Sequence, residues 1–318
     1  MKWIEDSRIL ECKAGSHAYG LDTPQSDLDF RGIVIPPIEY LLGLKKFDQM
    51  EAREPDRVLY SLRKFFELAS ACNPNIIEII FTPRKHVLLI DKWGEMLMEN
   101  ATLFLSKKAK HTFSGYAFAQ LQRIQRHKKW LDNPPDEPNP VNYTRKKHIV
   151  VKRSQDGVVM PTPVDKYAYE RWEGEKFIQD AFLQSEYDAD VKKYQQYHTW
   201  LKERNTKRAE LESKFHYDTK HASHLVRLLR MGVEILERNS VIVDRNDAGD
   251  ADELRAIRGG KFTYEELLAY AQDMEKKLDG LYETSSLPHG IDENKINDLY
   301  MEMVKGRLGI ITRKLLDE

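Results

Sequence analysis

The chain has 318 residues and 50 Lys and Arg against 51 Asp and Glu, so its net charge is −1 although 32 % of its residues are charged. That balance excludes a protein that coats duplex DNA through a global positive field, while leaving room for a local basic groove. The two cysteines, Cys12 and Cys72, supply neither a disulfide framework nor a Cys-x-x-Cys metal site and read as buried thiols, and no apolar run reaches membrane-span length.

In chain order, residues 8–13 and 27–35 read as two strands joined by a turn at Thr23-Pro24, and Pro36-Pro37 stops the second. Glu54-Pro55-Asp56 introduces a third β-like run over 57–62. Leu62, Phe65, Phe66 and Ala69 then recur at helical spacing up to about Cys72, where Asn73-Pro74 ends the helix. Ile76 to Phe81 fits a helix turn or a short strand equally well. Residues 92–130 are helical by pattern, 131–165 form a Pro-rich and basic connection, and the chain from Val164 onward reads as helical. Helices are expected over about 187–214, from near Thr219, over about 264–280 and over about 292–316. The length suits two domains, placed at 1–130 and 166–318 around that connection.

The chemistry concentrates in Gly15 to Arg31. Gly15-Ser16-His17 follows an apolar run, and a ten-residue gap separates Ser16 from Asp27-Leu28-Asp29. Read as a strand, this segment puts Asp27, Asp29 and Arg31 on one face and sends Leu28 and Phe30 into the core. Paired carboxylates suit Mg²⁺, or Mn²⁺ in its place, which takes a few carboxylates plus substrate phosphates. A Gly-Ser turn offers close backbone approach and free N–H groups, as a phosphate nest requires. A two-metal site needs a third carboxylate. The stretch resembles the DNA polymerase beta-type nucleotidyltransferases, in which that carboxylate comes from a later strand, and the resemblance implies Asp56 at the entry of the 57–62 strand, with Glu54 and then Asp48 as alternatives.

A second block, Tyr217 to Leu236, opens with Asp218 or Thr219 as a helix cap and sets Lys220, His224 and Arg227 along one side, with Arg230 adjoining. It reads either as a solvated basic face or as a wall whose cations meet phosphate. Tyr194, Tyr197, His198 and Trp200, with Lys202, Arg204, Lys207 and Arg208, form a third block that reads as a packing seam or an RNA contact.

An apolar strand, Gly15-Ser16, the ten-residue gap and Asp27-x-Asp29 resemble the signature of the DNA polymerase beta-type nucleotidyltransferase superfamily. Tyr60 to Phe65, Asn73-Pro74, Tyr217 to Leu236, Leu254 to Gly260 and Tyr264 to Leu268 are similar to its RNA-repair-associated branch in bacteria and phages. The resemblance implies an α/β (α+β) core with a small mixed sheet and an all-helical C-terminal domain across a cleft. It implies a cytoplasmic, metal-dependent enzyme that moves a nucleoside monophosphate from a triphosphate to an acceptor hydroxyl, an RNA end, with two metal ions on Asp27, Asp29 and Asp56. Gly15, Ser16, His17, Arg31, Lys220, His224, Arg227 and Arg230 are the expected substrate-binding set. Attachment of a nucleotide to a protein hydroxyl, and a non-catalytic nucleotide or RNA sensor, are the rival readings.

Overall fold

The computed structural model describes residues 2–149, 169–173, 176–204 and 206–317. Helix α1 (Lys2–Asp6) leads into β1 (Arg8–Ala14), the short helix α2 (Gly15–Ala18) and β2 (Asp29–Val34). A single turn, α3 (Ile38–Leu41), precedes the hairpin β3 (Gln49–Arg53) and β4 (Asp56–Ser61). Helices α4 (Leu62–Ser70) and α5 (Pro74–Ile80), strand β5 (Val87–Ile90) and helices α6 (Lys92–Glu99) and α7 (Lys108–Asp132) follow. The five strands form one mixed sheet in the order β3-β4-β2-β1-β5. Only β2 and β4 run parallel in it; the other three pairings are antiparallel.

Local chemistry sets the boundaries. The Ser61 side chain accepts from the Lys64 amide at the start of α4, and Asn73 caps α5 with Pro74 at its first position. Ile76 to Ile80 is therefore helix, which settles the ambiguity left by its apolar run. Behind the sheet, Ile4, Val34 and Leu59 form a core with Trp3, Phe47 and Met50 packed against it. On the other side Phe65, Phe66 and Phe104 meet edge to face at 5.3–6.1 Å.

The chain continues through β6 (Thr144–Ile149), β7 (Tyr169–Glu173), β8 (Lys176–Phe182), α8 (Gln184–Glu203) and α9 (Thr206–Phe215). It ends with α10 (Thr219–Arg238), α11 (Arg245–Ala248), α12 (Ala251–Arg258), α13 (Tyr264–Thr284) and α14 (Glu293–Asp317). Asp218 caps α10 by accepting from the His221 amide at 3.0 Å, and Asn239 closes it in the left-handed conformation. Gly232 brings α10 close to α7 and α13: a Cβ there would lie 3.2 Å from Phe113 and 3.4 Å from Leu278.

The result is an α/β core with a small mixed sheet and a helical C-terminal region, as the sequence implied. Strands β7 and β8 correct the expectation of continuous helix from Val164, and they pair with β6 in a second, three-stranded sheet. The expected helix over 187–214 is two helices, α8 and α9. Residues 150–165 of the Pro-rich and basic connection lie outside the described residues.

Two compact units result, Met1–Gln125 with Tyr217–Glu318, and Arg126–His216. The boundaries expected near 130 and 166 differ because α10 to α14 pack with the first sheet's unit: Tyr300 meets Phe66 at 5.2 Å, and the Trp93 ring lies against Gly306. Within the second unit Trp130, Tyr197 and Trp200 cluster at 5.3–5.9 Å, with the Arg126 and Arg204 guanidiniums over Trp130 and Trp200. No described helix is long and apolar enough to cross a membrane.

Candidate active site

The site is built at the junction of β1, α2, β2 and β4. Gly15 opens α2 with φ +60°, in the left-handed region, directly after the buried strand β1. A Cβ at this position would lie 1.9 Å from Asp29 Oδ2, so the glycine and the carboxylate are packed one against the other. The ten-residue gap thus returns the chain to its own start: Ala14 and Asp29 are register partners on β1 and β2. Within the gap, the Ser26 amide donates to the Thr23 carbonyl at 2.9 Å, and His17 lies 3.4 Å from both Asp22 Oδ2 and the Ser26 carbonyl. His17 therefore braces the loop that carries Asp27.

The third carboxylate comes from the neighbouring parallel strand, where Asp56 is the register partner of Asp29. Arg31, two residues further along β2, donates to the Asp56 carboxylate at 3.1 and 3.4 Å and to the Phe30 carbonyl at 2.7 Å. Glu54 lies in the exposed β3–β4 turn, and Asp48 precedes β3. Burial, joined by the Asp56 charge and more weakly by Asp27, pushes the Asp29 carboxyl above its ordinary pKa, against the pull of Arg31 and Lys220. Asp27, Asp29, Asp56, Arg31 and Lys220 consequently share one electrostatic neighbourhood. All five belong to the first unit.

Two expectations need correction. Asp27 is not on the strand: β2 begins at Asp29, Asp27 lies exposed in the preceding loop, and Leu28 is 45 % exposed instead of entering the core. Nor do the four residues of α10 form one cationic wall. Arg227 is buried; its Nη1 donates to Glu78 Oε1 at 2.5 Å and its guanidinium lies 3.5 Å above the Tyr19 ring. Arg230 is held by Asp250, Glu253 and the Tyr270 hydroxyl at 2.7–3.0 Å. Burial, reinforced by the charges of Arg227, His221, Arg123 and Lys220, keeps the His224 pKa well below its ordinary value, so its imidazole is neutral near pH 7. Of these four, Lys220, exposed in the first turn of α10, is the one whose charge bears on Asp29, alongside Arg31 of β2. The separation has a simple cause: α10 is buried on nearly all sides, so a stripe at helical spacing meets a different neighbour at each turn.

Several residues around the site escaped the sequence reading. Tyr19 donates to Glu78 Oε2 at 2.6 Å, and Glu78 is buried within the run Ile76 to Ile80. The lone carboxylate in the apolar run Ile76 to Ile80 was the available signal, since a buried charge calls for a partner. The segment after α2 is held from α11 and α12. The Arg245 amide donates to the Tyr19 carbonyl at 3.0 Å, Arg255 donates to the Gly20 carbonyl, and Arg258 donates to the Leu21 carbonyl at 3.4 Å.

A cavity of about 360 Å³ lies away from this site. Arg8, Glu11, Phe30, Pro55, Arg57, Leu88 and Leu89 line it. Phe30, Arg57 and Glu11 alternate along their strands with Asp29, Asp56 and Cys12, so it opens behind the sheet. Its cations are spent on Glu5 and Glu11.

A small mixed sheet with a glycine turn packed on Asp29, followed by a helical region, is consistent with a nucleotidyltransferase core. Residues 4–150 match the family model RlaP, the RNA repair pathway DNA polymerase beta family. An uncharacterized 38.9 kDa protein in the nrdC-mobD intergenic region of Enterobacteria phage T4 is 32 % identical over 129 residues, covering 36 % of this chain and 38 % of the phage protein. The match thus spans well under half of that relative's length. No solved structure matches the chain.

Proposed function

We propose that the chain is a metal-dependent nucleotidyltransferase that moves a nucleoside monophosphate from a nucleoside triphosphate to an acceptor hydroxyl, an RNA end, and releases pyrophosphate. The observation that carries this reading is the placement of Asp29: it is packed on Gly15, is the register partner of Asp56, and has its charged form disfavoured by burial and a neighbouring carboxylate. An under-compensated carboxylate cluster of this kind fits hard divalent cations. Asp27, Asp29 and Asp56 would hold Mg²⁺ or Mn²⁺, which when bound supplies charge neutralisation at the triphosphate and lowers the pKa of a coordinated hydroxyl.

The chain's own residues supply the rest. Gly15 and Ser16 present the turn against which the triphosphate tail lies, since any side chain at position 15 would fill that space. His17 holds the loop of Asp27 in place. Lys220, whose charge bears on Asp29, adds positive charge near the leaving pyrophosphate. Arg31 bonds Asp56 in the free chain and sets its carboxylate beside Asp29. The acceptor oxygen forms its bond to the α-phosphorus as the bond to pyrophosphate breaks, and its proton passes toward Asp56. No covalent enzyme intermediate is required, because positioning and electrostatics carry such reactions. The family description supports RNA as the acceptor.

The test is incubation with each labelled nucleoside triphosphate, Mg²⁺ or Mn²⁺ and a pool of cellular RNA. Label on RNA, lost in Asp29→Asn, is the expected result. Label on protein alone would replace the acceptor, and no pyrophosphate release under any condition would overturn the reaction.

A further inference from the structure

Tyr19 occupies a particular place: its amide donates to the Gly15 carbonyl at 3.2 Å and so closes the turn that carries Gly15 and Ser16. Its side chain is locked on two sides. The hydroxyl donates to one oxygen of Glu78 at 2.6 Å, the other oxygen of Glu78 receives Arg227 at 2.5 Å, and the Arg227 guanidinium covers the ring at 3.5 Å. Three polar side chains are thus joined in a closed triangle linking α2, α5 and α10, in an interior where such groups carry a large desolvation cost. The backbone just beyond, Tyr19 to Leu21, is gripped by Arg245, Arg255 and Arg258. Stability alone does not require this design, because buried ion pairs are often replaced by apolar residues without loss. What the triangle adds is a fixed height and orientation for one backbone turn.

We propose that Arg227, Glu78 and Tyr19 are positioning residues for the Gly15–Ser16 turn: the triangle, built on α10 and α5, holds that turn at the distance from Asp29 at which it receives a triphosphate. Arg227 acts through Tyr19 and does not touch the substrate. This rests on the nucleotidyltransferase reading for the identity of the ligand, and its test separates the two.

Three variants, Arg227→Met, Glu78→Leu/Arg227→Met and Tyr19→Phe, are compared with the wild-type chain for melting temperature, and the last two for binding of inorganic tripolyphosphate and of each nucleoside triphosphate with Mg²⁺. Where turnover is found, KM and kcat are compared as well. Glu78→Leu/Arg227→Met replaces the ion pair by apolar groups of similar size and should recover most of the melting temperature lost in Arg227→Met alone. Tyr19→Phe removes one hydroxyl and keeps the ring. Both should weaken tripolyphosphate and triphosphate binding about tenfold, appearing in KM more than in kcat, as expected for a misplaced binding turn.

Unchanged triphosphate affinity in Tyr19→Phe, or in the double variant once its melting temperature has recovered, would overturn the positioning role. Wild-type chain that binds triphosphate but transfers it to nothing would overturn the reaction, while the variants still decide the triangle. Absence of triphosphate binding in the wild-type chain would overturn both.

Discussion

At the residue scale the site turns on two atoms that compete for one space, the Gly15 Cα and Asp29 Oδ2. Gly15→Ala places a methyl 1.9 Å from that oxygen and forces an L-residue to φ +60°. The left-handed conformation alone costs roughly 1–2 kcal/mol, and the carboxylate must also turn away. Gly15→Ala should therefore lower the melting temperature and abolish detectable transfer; a variant with normal turnover would contradict the packing. Asp29→Asn is expected to behave oppositely in stability. It removes a charge that burial and Asp56 disfavour, so the metal-free protein should melt at the same or a higher temperature while transfer is lost. Scanning calorimetry with and without Mg²⁺ checks both halves. Gly15 and Asp29 were legible because glycine and spaced carboxylates have few other reasons to occur together. Arg227 was not, since a residue's spacing along a helix shows which side it lies on and not what stands opposite.

At the element scale, α10 to α12 form a polar framework with its own stability. Arg230 and Arg245 share Asp250, and Arg245 also pairs with Glu234 at 2.8 Å. Arg230→Ala leaves Glu253 and the Tyr270 hydroxyl without it and should cost about 2 kcal/mol, with triphosphate affinity of the folded protein unchanged. Lys220→Ala, one element face away, should do the reverse: little change in melting temperature, and weaker triphosphate binding whose deficit shrinks as salt rises. Chemical denaturation and titration calorimetry distinguish the pair.

Asp244 adds a pH-dependent tie to the same framework. Burial raises its pKa, but hydrogen bonds from Lys85, His86 and Asn246 outweigh that and hold the carboxyl well below the usual range. A depressed folded-state pKa gives stability that is complete above the unfolded value of about 4 and lost as pH falls through the folded value. The melting temperature of the wild-type chain should accordingly fall between about pH 4 and pH 2 more steeply than that of Asp244→Asn. Equal slopes would remove Asp244 from the acid response.

At the scale of the whole molecule, the first unit is assembled from both ends of the chain, residues 1–125 and 217–318. A fragment ending at residue 130 contains Gly15, Asp27, Asp29, Asp56 and most of the family match, yet it lacks Arg227, the cation paired with Glu78, and the helix that covers Phe66. A buried carboxylate without its counter-charge and an uncovered aromatic face are each destabilising. The fragment should show no cooperative thermal transition by circular dichroism, whereas the full chain should; a sharp transition in the fragment would show that α10 to α14 are dispensable for folding.

The sequence by itself pointed to the Gly15–Ser16 turn, the small mixed sheet and the resemblance that the family model bears out over residues 4–150. Those features rest on local rules: a glycine where the backbone must come close, alternation along strands, and Asn73-Pro74 as a stop to the helix before it. Tertiary structure alone decided which carboxylate joins Asp29, because the parallel pairing of β2 with β4 sets Asp56, and not Glu54 or Asp48, in register with it. It also decided that Arg227 and Arg230 serve the framework while Lys220 faces the carboxylates, and that residues 126–216 interrupt a single unit. Each of these depends on long-range packing between elements far apart in the chain, where burial and charge pairing choose the partner and periodicity carries no information about it.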